Sequence, residues 1–121
     1  MNTLFLVSMF IEGIFALGFI SIPGIMLGQF GVILNDTATV FARLFGSALL
    51  SFPVLLWYGR RSDKPEFKTG VVRGLFLFYL ASTPILLLTQ TAGLMNAKGW
   101  SIVGLHFVFL AWFGIYAFKK N

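Results

Sequence analysis

Asn35–Arg61, NDTATVFARLFGSALLSFPVLLWYGRR, is the stretch that decides the fold. It opens on Asn35-Asp36-Thr37, whose side-chain oxygens can take the backbone N–H groups that a helix start leaves free. It closes on Trp57-Tyr58 and then Arg60-Arg61, aromatic and basic residues of the kind that sit at a membrane interface. The apolar length between these ends, 37–58, is enough to cross about 30 Å of hydrocarbon. Arg43 lies inside it, about two turns past the cap, where an unpaired charge costs at least ~2.5 kcal/mol. The stretch therefore reads as a membrane helix with a guanidinium inside it, and the rest of the chain can be placed around it.

Composition supports a membrane chain throughout. Of 121 residues, 58% are hydrophobic, 17% aromatic and only 11% charged, a balance foreign to soluble domains. The net charge of +5 comes from basic residues at the ends of apolar runs, where they act as topology signals and contacts to anionic lipid. Nucleic-acid binding is set aside on that ground. The absence of Cys excludes disulfides, thiol catalysis and thiolate metal sites.

Three more runs flank the first. Leu4–Ile22 lacks a basic leader and a convincing cleavage motif, so it reads as a retained helix. Its single charge is Glu12, and Ser8, Glu12 and Ala16, spaced by four, share a narrow face expected to look inward. Gly59–Gly70, GRRSDKPEFKTG, reads as the most basic loop and hence as cytoplasmic. The run over 71–91 carries Pro84 at its centre, with Tyr79, Thr83, Leu87 and Gln90 on one face. The last run, 100–118, holds His106 and ends in Lys119-Lys120. Four helices over about 4–22, 37–58, 71–91 and 100–118 give an all-α, integral membrane, antiparallel four-helix bundle as one domain spanning 1–121. Both termini are expected to be cytoplasmic, and the chain multi-pass in the inner (plasma) membrane.

In that topology Arg43 and His106 each lie about 9 Å below the outer boundary and Glu12 rises about 12 Å from the inner one. Glu12, Arg43, His106 and Gln90, one from each helix, are expected to converge in the outward half, with Ser47 on the polar stripe it shares with Thr39 and Arg43. Two ridges of small residues, Ala38/Ala42/Gly46 and Gly70/Gly74, are expected to mark close helix contacts within the chain or across a dimer. Pro53 removes the donor for the Leu49 carbonyl, which predicts a kink there.

No catalytic motif is present: there is one His, no paired acids at helical spacing and no phosphate-binding glycine loop. Glu12 and His106 fall short of the ligands a catalytic metal needs, and no cofactor is implied. An acid in the first helix, ARLFGSALL in the second and GWSIVGLH opening the fourth resemble a large group of uncharacterised small bacterial four-helix membrane proteins. The resemblance covers most of the chain; it implies fold and topology and no activity. The functional expectation is a non-enzymatic protein that binds or translocates a small anionic or lipidic ligand at Glu12, Arg43 and His106. The alternative is a structural or accessory subunit, in a homodimer or larger membrane complex, whose polar cluster serves packing.

Overall fold

A computed structural model describes residues 1–120. The elements are α1 (Asn2–Ser21), α2 (Pro23–Gly28), α3 (Asp36–Leu49), α4 (Ser51–Arg61), α5 (Pro65–Thr91) and α6 (Gly99–Ala117), with no strand among the described residues. Taking α3 and α4 together, four helical runs are long and apolar enough to cross a membrane.

Local chemistry accounts for the boundaries. The Asn35 side chain accepts from the Ala38 N–H at 2.8 Å, so α3 starts on a formed cap. At Pro53 the helix loses the donor for the Leu49 carbonyl, and α3 gives way to α4 at Leu50. Leu50 keeps right-handed helical angles (φ −64°, ψ −22°), so the chain passes from α3 to α4 within one 26-residue span.

Two boundaries differ from the sequence expectation. The third long helix begins at Pro65, six residues before the expected start, because proline is pre-set for a first helical position and Glu66 favours the positive helix start. The expected twelve-residue basic loop thereby shrinks to Ser62–Lys64, and Arg60 and Arg61 end α4, where cations complement the helix dipole. The connection after α1 is itself partly helical. Pro23 opens α2, and Met26 folds back over Gly18, where a Cβ would come within 2.7 Å of the Met26 sulfur.

Small residues set how the helices pack. A Cβ on Gly46 would fall 2.7 Å from Phe19 Cβ and 2.9 Å from the Ala16 carbonyl oxygen, so α3 rests almost backbone to backbone on α1. Gly59 lies against the Phe5 ring, 3.1 Å from where a Cβ would stand, which makes α4 antiparallel to α1. Gly99 abuts Gln90 and Gly114 abuts Phe76, which makes α6 antiparallel to α5. Contacts of α4 with α5 and of α1 with α6 complete the arrangement. The expected close approach at Gly70 and Gly74 is not made within this chain: both are exposed, and a Cβ on either would meet nothing within 4 Å.

The large buried core lies at one end. Phe5, Leu56, Val72, Leu75, Phe109 and Phe113 form the core of the half that holds Met1, the Ser62–Lys64 turn and the C-terminal lysines, here the basic end. At the opposite, loop end, Asn96 ties the two connections together: its N–H donates to the Phe30 carbonyl (2.8 Å) and its side-chain amide to the Gln29 carbonyl (3.0 Å). Gly31 and Gly93, with φ of +77° and +76°, make the left-handed turns these connections require.

Candidate functional site

The candidate site lies where the core stops. On α1, the face of Ser8, Glu12 and Ala16 is the buried one, at 0%, 5% and 0% exposure. Glu12 accepts a hydrogen bond from the Tyr79 hydroxyl on α5. Tyr79 is itself fixed, because its ring stacks on Phe109 and Phe113 with centroids 5.3 and 5.7 Å apart. The His106 ring meets Tyr79 edge to face at 5.1 Å, and its Nδ1 shares a 2.9 Å hydrogen bond with the Ser82 hydroxyl.

These four polar side chains line one wall of a cavity of about 290 Å³ in the loop-end half. The remaining walls are apolar and ring-rich, with Phe15, Phe19, Phe45 and Phe78 at the sides and Leu27 and Met95 toward the connections. Backbone geometry explains the space. Among the described residues the α5 backbone comes against α4 but not against α3, so on the Asp36 side of Leu50 the two backbones stay apart. Phe45 and Phe78 bridge that seam with ring centroids 6.5 Å apart.

Of the five residues expected to form the site, the structure brings two to the cavity, Glu12 and His106. Arg43 and Ser47 stand exposed on α3, and Ser47 donates back to the Arg43 carbonyl at 3.0 Å. The cause is azimuthal. Ala42 and Gly46 are the face that α3 presents to α1, and each next residue lies about 100° further round the helix. Gln90 is buried, but it clamps the α5–α6 turn by donating to the Asn96 carbonyl at 3.0 Å and does not line the cavity.

Tyr79 and Ser82 were not assigned to the site from sequence. Tyr79 shares its helix face with the buried Thr83 and Gln90, and Ser82 comes level with His106 once α5 and α6 are paired about their short turn. Thr83 donates to the Tyr79 carbonyl, whereas Pro84 leaves the Leu80 carbonyl without its usual donor. Arg73 donates to the Ala117 carbonyl at 3.4 Å and caps the end of α6. One turn below Glu12, the Ser8 hydroxyl is fully buried with no hydrogen-bond partner.

No known protein family matches the chain, and neither a curated protein nor a solved structure does. Fold and site therefore define the class on their own: an all-helical protein with four helices apolar enough to span a membrane and a ring-lined cavity between them.

Proposed function

We propose that the chain is a multi-pass protein of the inner (plasma) membrane that binds, and exchanges with the bilayer, a small lipidic ligand in the cavity beside Glu12 and His106. The carrying observation is the cavity itself. It is about 290 Å³ of ring-lined space with a few convergent polar groups, close to the lower end of the roughly 300–1,000 Å³ of ligand sites. Its ligand is mostly apolar with one polar end, and it passes between α3 and α5, by Phe45 and Phe78. An anionic ligand gains nothing there, since Glu12 lines the cavity and no Lys or Arg does.

Orientation rests on charge. Arg60, Arg61, Lys64, Lys68, Lys119 and Lys120 collect at the basic end and Lys98 at the other, which by the positive-inside rule supports cytoplasmic termini and a cavity in the outward half. A second reading, a subunit of a homodimer or larger complex, is favoured by the open Gly70/Gly74 groove.

The test is thermal melting of purified protein in nanodiscs with and without native lipid extract, for wild type and the cavity-filling Ile102→Trp. Stabilisation of wild type alone supports cavity binding. Equal stabilisation of both sinks it.

A further inference from the structure

Glu12 is the sole carboxylate on the cavity wall among the described residues, and its counter-charge is not supplied by the protein. None of the nine Lys and Arg side chains lines the cavity. Of the other titratable groups there, the Tyr79 phenol donates to one carboxylate oxygen, and His106 pairs through Nδ1 with the Ser82 hydroxyl and not with Glu12. An ionised carboxylate has about four acceptor sites, and Tyr79 takes one. With no protein cation beside it, this buried carboxyl is stable as an ion only when a positive charge sits next to it, and the ligand is where that charge can come from.

The walls specify which cations fit. Phe15, Phe19, Phe45, Phe78 and Tyr79 surround the space, and aromatic faces attract a cation that approaches without its water. Inorganic cations do not qualify, because they require a shell of oxygen ligands and this lining is almost wholly hydrocarbon. A bulky organic ammonium sheds little hydration and fills apolar volume as well. Resting on the cavity-binding function proposed above, we infer that the preferred ligand is a lipophilic organic cation, an ammonium on a ring-sized hydrocarbon body, with Glu12 as its counter-ion and the phenylalanine faces as its cage.

The test uses the full chain in nanodiscs and two probes of nearly equal shape, benzyltrimethylammonium and its uncharged isostere neopentylbenzene, with binding followed by ligand-observed NMR. The cation should bind wild type about tenfold more tightly than the isostere, and Glu12→Gln should remove that preference with little change for the isostere. If the isostere binds as tightly as the cation and Glu12→Gln is silent, the cation assignment is overturned. Loss of both probes in Ile102→Trp then shows that cavity binding itself survives. If Ile102→Trp leaves both probes bound as before, they do not occupy the cavity and both readings fall. Should Glu12→Gln fail to fold, Phe45→Leu takes its place, since it removes a ring while keeping an apolar side chain. A loss larger for the cation than for the isostere supports the cage, and equal losses overturn it.

Discussion

The Tyr79 hydroxyl on α5 donates to the Glu12 carboxylate on α1, across two helices whose backbones do not come into contact. This bond closes the core half of the molecule and forms the floor of the cavity, because Tyr79 belongs to the core and lines the cavity as well. In hydrocarbon such a link has little water to compete with, although measured interhelical hydrogen bonds in membranes average only ~0.6 kcal/mol.

Removing the donor should cost more than that average, because Tyr79→Phe leaves a carboxylate that is 5% exposed without its protein partner. A loss of about 1–2 kcal/mol is expected, with Glu12→Gln milder because an amide oxygen still accepts from Tyr79. Reversible unfolding in mixed micelles measures both. Tyr79→Phe unfolding like wild type would show that the bond contributes nothing.

Glu12 and Arg43 share no partner, so their replacements should add. In a cycle of Glu12→Gln, Arg43→Leu and the double variant, the coupling should stay below about 0.5 kcal/mol. A double variant markedly more stable than the sum of the singles would mean that the two charges meet after all, as the sequence suggested.

Glycine substitutions should separate contacts made within the chain from faces left open. Gly46→Leu drives a side chain into the Ala16 carbonyl and Phe19, and should destabilise by about 1–3 kcal/mol or more. Gly74→Leu meets open space and should leave the monomer's stability unchanged. Size-exclusion chromatography with light scattering adds a second readout: a lower oligomeric mass for Gly74→Leu would place a second chain in that groove.

Ser8→Ala should stabilise. The buried hydroxyl has no partner, and an unsatisfied polar group of this kind costs roughly 1–3 kcal/mol, whereas deleting one oxygen leaves only a small void. A destabilised Ser8→Ala would instead reveal a hydrogen bond to Ser8 in the membrane-embedded protein.

By itself the sequence determined the four long apolar runs, the Asn35 cap, the break in the helix ahead of Pro53 and the inward face of Ser8, Glu12 and Ala16, because each rests on length, backbone chemistry or a single helix's periodicity. It also pointed to Glu12 and His106. Tertiary structure decided what they meet. A helix that is apolar all round says little about its own rotation, since lipid and core accept the same side chains. Rotation was settled by close approach: Gly46 on Ala16 turned Arg43 and Ser47 outward, and Gly99 against Gln90 fixed the register that sets Ser82 beside His106. The cavity followed from one more fact invisible along the chain, that α5 leans on α4 and leaves α3.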